Sequence, residues 1–169
     1  MKKQRIAAIV LALALLTGSL ALAAAGSPKA LRNDRPSAST GGIPSGGVTR
    51  RDDLADQVVR LVNARRVEQG LSPLRVDAEL TRAARVRAWE LLRVFSHARP
   101  DGSNWSTVSP SAYGENIARG QKTAEKAMAA WMTSSSGHRE NILRAGYGSI
   151  GVCALNDHGV VYWVQIFGK

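Results

Sequence analysis

A single cysteine, Cys153, occurs in 169 residues, so no intramolecular disulfide can form even in an oxidising compartment. Its setting in "SIGVCALND" is apolar and strand-like, which suits a buried, inert thiol rather than a nucleophile in an exposed, electropositive niche. Aromatic residues are scarce, at 5%, and no basic cluster is interleaved with them, so nucleic-acid binding is not expected. The chain has no HExxH helix, no strand-turn-helix nucleophile elbow and no internal repeat. Acid is also in short supply. Thirteen Asp and Glu face 23 Lys and Arg for a formal net charge of +10, or about +7 once Lys2, Lys3 and Arg5 are set aside. Such an excess draws a protein toward anionic envelope polymers or lipid headgroups, unless the scattered arginines serve only solubility.

No apolar run reaches membrane-spanning length unbroken, because Thr17, Gly18 and Ser19 interrupt the N-terminal one. Lys2, Lys3 and Arg5, then Ile6 to Leu16, then Ala23-Ala24-Ala25 have the order of a secretory signal, assigned to residues 1–25. The chain is thus expected to be secreted, to the periplasm or the exterior, with no stable membrane span after cleavage. No cysteine near the exit invites lipidation. Residues 26–50, rich in Gly, Pro, Ser and Thr, read as a disordered linker that cannot offset its own ordering entropy. The folded domain is 51–169, long enough to bury roughly two thirds of its unfolded surface.

Within it, "DDLADQVVRLVNARRVEQG" places Leu54, Val58, Leu61 and Val62 at helical spacing and ends at Gly70. A second helix opens at Asp77 and lines up Leu80, Ala84, Ala88 and Leu91, its arginines reading as a solvated face. A third, capped by Thr123, carries Ala124, Ala127, Met128 and Trp131. Between them "FSHARPDGSNWSTVSP" is a loop, its Pro-Asp-Gly a turn signal. The close is an antiparallel hairpin, "GSIGVCAL" and "GVVYWVQIFG", with Asp157, His158 and Gly159 at the tip; another short strand is expected near Tyr113 to Ala118. The fold class is α+β, helices on a small, largely antiparallel sheet.

Two histidines stand in loops beside helix ends, His97 in "FSHARPDG" and His138 in "SSSGHRENIL". Glu115 of "YGENIA" lies in a run that otherwise reads as buried, where an acid needs a partner. An imidazole, or a metal held by two imidazoles, would supply one. Burial beside Ile117 and Tyr113 also tends to raise a carboxyl pKa, which suits a general acid or base. A purely structural role is the alternative, Glu115 accepting from both imidazoles while Asn116 and Asn141 satisfy backbone groups. A serine nucleophile among Ser134 to Ser136, activated by His138, is disfavoured by the short separation.

"FSHARPDG", "YGENIA", "AWMTSSSGHRENIL" and "YWVQIFG", in this order, resemble the CAP family of cysteine-rich secretory proteins, antigen 5 and pathogenesis-related 1 proteins, particularly its cysteine-poor, SCP-like bacterial branch. The likeness covers Arg51 to Lys169. It implies an α-β-α sandwich with a cleft lined by two histidines and two acids, matched here by His97, His138 and Glu115. The second acidic position falls on Ser134, a departure that puts paired-carboxylate chemistry in doubt. The resemblance also implies a divalent cation such as Zn²⁺ in the cleft, with His97 and His138 as ligands of an open, weak site. The function it suggests is a secreted binding module that takes a divalent cation or small ligand in the cleft and engages lipid or envelope polymer on its surface. The alternative is a peptidoglycan hydrolase using Glu115 with His97 and His138. Glu140 could stand in as the second carboxylate, although a salt bridge to Arg139 or Arg144 is its simpler role.

Overall fold

Helix α1 runs Asp52–Glu68, with Asp52 and Asp53 in the first turn and Arg65 and Arg66 in the last, each at the pole that favours its charge. Helix α2, Ala78–Leu91, starts where the Asp77 carboxylate accepts from the backbone N–H groups of Glu79 and Leu80. Helix α3, Ala124–Met132, starts where the Thr123 hydroxyl accepts from the Lys126 N–H. A fourth, α4, His138–Ile142, is too short to show a period in sequence. A computed structural model describes residues 47–169, so the signal and most of the linker fall outside the described residues. Among the described residues no helix is long and apolar enough to cross a membrane.

The strands are β1 (Val48–Arg50), β2 (Arg75–Val76), β3 (Gly114–Arg119), β4 (Ser149–Asp157) and β5 (Val160–Gly168). β4 and β5 form the expected hairpin, in register from Ser149↔Gly168 to Asp157↔Val160. Their sheet is ordered β1-β4-β5-β3, and β2 adds a short parallel pairing to β4. β1 corrects the linker boundary at residue 50. Val48 pairs with Asp157, Thr49 with Asn156 and Arg50 with Leu155. Three residues offer too little apolar pattern to read as a strand; the backbone ladder to β4 and Val48 packed on the core hold them.

Alternation along β4 and β5 builds two cores. Ile150, Val152, Ala154, Trp163 and Phe167 meet α1 and α3, whereas Cys153, Leu155, Val164 and Ile166 meet α2. The result is an α-β-α sandwich. Burial pushes the Cys153 thiol up to about 12, consistent with an inert core residue. The tightest helix-to-sheet approach is at Gly151, where a Cβ would lie 2.1 Å from the Leu80 carbonyl carbon. The arginines of α2 are not all solvated. Arg82 and Arg93 are exposed, but Arg87 is fully buried, and so is Arg66 of α1.

Candidate functional site

β3 is an edge strand, so groups reach it from both faces of the sheet and across its open side. Alternation sends Glu115 and Ile117 toward α2, and Asn116 and Ala118 toward α3 and α4. Three alternate carbonyls of this segment are covered by side chains. Tyr113 O accepts from the Tyr147 hydroxyl at 2.8 Å, Glu115 O from Asn141 Nδ2 at 3.3 Å, and Ile117 O from Trp131 Nε1 at 3.2 Å. The glycine of "YGENIA" permits the first of these, since a Cβ on Gly114 would come within 2.5 Å of the Tyr147 hydroxyl.

The Glu115 side chain is wholly buried, and its principal partner is not the one expected from sequence. Arg87 Nε donates to Oε2 at 2.7 Å and Nη2 to Oε1 at 3.3 Å, while His97 Nδ1 lies 2.8 Å from Oε1. Arg87 also donates to Glu90 Oε2 at 2.5 Å and to the Ser96 carbonyl at 2.7 Å, and Glu90 receives Arg99. Burial works against the guanidinium charge, but the hydrogen bonds to Glu115 and Glu90 outweigh it and the Arg87 pKa is raised. A signal for Arg87 was present: it sits seven residues after Leu80 and four before Leu91, where the helical period calls for an apolar side chain.

This geometry fixes roles. With a guanidinium donating to both Glu115 oxygens, the carboxylate acts as acceptor, so His97 Nδ1 donates to it. In its neutral form His97 then has Nε2 left as an acceptor, and its side chain is 51% exposed.

His138 stands apart. Its Nδ1 lies 2.9 Å from Ser134 Oγ, so the residue at the position of the family's second acid does meet the imidazole, contrary to the expectation from their short separation. The turn after α3 folds back under the start of α4 and aligns them. Among the described residues no acid orients His138 behind this pair, as a triad requires. Burial lowers the His138 pKa, the His97 charge lowers it further, and Glu140 partly opposes both. Glu140 is itself exposed and forms no salt bridge to Arg139 or Arg144 among the described residues. The backbone of His138 is tied in by Asn116 Nδ2, 3.0 Å from its carbonyl, and Asn116 Oδ1 accepts from Asn141 at 3.0 Å. His158 is at the hairpin turn, beside Asp157.

Two pockets flank β3. The larger, about 630 Å³, is lined by His97, Glu115, Trp105, Tyr113, Arg144 and Tyr147, among others; the smaller, about 350 Å³, by His138, Ser134, Phe95, Arg119 and Trp131 among others. Glu115 and His97 are therefore brought together, and His138 lines a neighbouring pocket. The zinc donor set suggested by the resemblance is divided between the two, and both Glu115 oxygens face a guanidinium. Among the described residues no three His, Cys, Asp or Glu side chains are grouped to hold a metal ion.

Comparison with known proteins agrees with this fold. The profile of the CAP: Cysteine-rich secretory protein family matches residues 59–167. "Uncharacterized protein YkwD" of Bacillus subtilis (strain 168) is 40% identical over 121 residues, covering 67% of this chain and 46% of that protein. The chain thus spans less than half of that relative's length. Among solved structures, an outer surface protein of Borrelia burgdorferi superposes with a TM-score of 0.63 at 22% identity, covering 73% of this chain and 98% of the other. An extracellular protein containing a SCP domain from Bacillus anthracis str. Ames gives 0.60 at 23% identity, covering 70% and 41%. At such identities the structures share the fold.

Proposed function

The chain belongs to the CAP family, and from that premise we propose that it is an exported binding module whose His97–Glu115 cleft takes a small polar ligand. One observation carries this reading: both Glu115 oxygens are engaged as acceptors, by Arg87 and by His97. A general acid must hold a proton and a general base must have a free oxygen facing substrate. Neither Glu115 oxygen is free for such a role, and the exposed Glu140 is not among the residues lining this cleft. His97, in contrast, presents an oriented ring nitrogen to solvent, which is what a recognition site needs. Export is supported by the order of charge, apolar run and small residues in 1–25, and by relatives described as extracellular or outer surface proteins.

Incubation of the purified chain with peptidoglycan, with and without zinc, tests the reading against hydrolysis. No muropeptide release is expected. Release that disappears in His97→Ala at unchanged thermal stability would replace the binding module with the hydrolase.

A further inference from the structure

The charge lining the larger cleft points to the class of ligand. Glu115 is the one acid among the residues lining it, and Arg87 neutralises it. Asp101, two residues from lining Ser103, turns Oδ1 to the Ser103 hydroxyl at 2.6 Å. Two cations remain. The Arg144 guanidinium lies 5.4 Å from the centroid of the Tyr147 ring, and Lys169 Nζ lies 4.4 Å from that of Tyr113. Both rings line the cleft, and neither cation has a carboxylate partner among the described residues. Aromatic faces hold these cations in place without neutralising them. His97 and Asn141 add polar groups to the same wall.

We propose that this cleft is an anion site: it takes a carboxylate or phosphate carried on a sugar-sized ligand, and it disfavours the divalent cation that its one imidazole would suggest. A volume of about 630 Å³ suits one such unit. A divalent cation there would meet Arg144, Lys169 and the Arg87–Glu115 pair, with one imidazole as its ligand. An anion meets the Arg144 guanidinium and the Lys169 ammonium as donors, and the accepting Nε2 of His97 is left for a hydroxyl of the sugar. The inference rests on the binding-module reading and names the ligand chemistry of that site.

Calorimetric titration of the full chain with glucuronate, glucose 6-phosphate, glucose and zinc chloride tests it. Saturable binding of an acidic sugar is expected, with glucose at least about tenfold weaker, as loss of one charge-assisted contact requires. The tighter of the two acids tells carboxylate from phosphate. Arg144→Gln and Lys169→Gln should each weaken the acidic sugar about tenfold at unchanged melting temperature, whereas Arg82→Gln on the far face of α2 should leave it unaltered. Zinc should give no more heat with wild type than with the His97→Ala, His138→Ala variant. Equal binding of glucose and glucuronate, no binding of either acid, or saturable zinc binding that needs His97 would each overturn the anion site. The binding-module reading survives all three outcomes and falls only to peptidoglycan cleavage.

Discussion

Arg66 and Arg87 are both buried on inward helix faces, at 1% and 0% exposure, yet they do opposite work. Arg66 meets no acid. Its guanidinium donates to the carbonyls of Ser72, Ile142, Arg144 and Tyr147, binding the end of α1 to the chain after α4, and burial alone lowers its pKa. Arg87 is held between two carboxylates that raise its pKa despite burial. A buried cation served by peptide dipoles is a clasp between segments. One served by acids also holds its neighbours in place, here Glu115 and, through it, His97.

The largest test of this contrast is Arg87→Met, which strands the Glu115 carboxylate. A loss of about 3–5 kcal/mol is expected in denaturant unfolding, with more than half recovered when Glu115→Gln is added. No recovery in the double variant would put Arg87 in the same class as Arg66. Arg66→Met should come next, at about 2–3 kcal/mol, because several carbonyls lose their donor but no charge is orphaned. Arg66→Lys should recover little, since one ammonium cannot span the fork, and the loss should not vary with pH.

His138 extends the comparison, as a half-buried imidazole without a bonded acid. Its folded pKa lies below the usual 6.5, so the unfolded chain binds more protons as pH falls through that value. Stability from this residue is complete above about 6.5 and is lost on acidification toward the lower folded pKa. Melting temperatures from pH 8 to 5 should therefore fall more steeply in wild type than in His138→Gln. The smallest effect belongs to Glu140→Gln. Removing the one charge that supports the imidazolium should lower the His138 pKa further, by an amount readable from its ring resonances; an unchanged or higher value would break the assignment.

Most of the scaffold was legible because long helices announce themselves twice, in period and in caps. Leu80, Ala84, Ala88 and Leu91 after Asp77 are an instance. The closing hairpin was equally plain from its β-branched runs. β1 and α4 were not: three and five residues are shorter than the patterns that would reveal them. At the site, "YGENIA" and "FSHARPDG" identified Glu115 and His97, and the structure joins them. Arg87 does not stand out in the sequence because its partner lies 28 residues away on another element, and a helix rich in arginine makes any one of them resemble surface. Ser134 reads in the sequence as the place of an absent acid, whereas its hydroxyl is what the imidazole of His138 touches.

The covered carbonyls of Tyr113, Glu115 and Ile117 have a consequence for recognition. An open edge strand normally invites strand donation, from a peptide ligand or from another copy of the same chain growing an intermolecular sheet. Here an incoming backbone finds a phenol, an amide and an indole already at three successive acceptor positions. Whatever docks along β3 must therefore be read by side chains, and the same three groups guard the domain against polymerising through its own sheet.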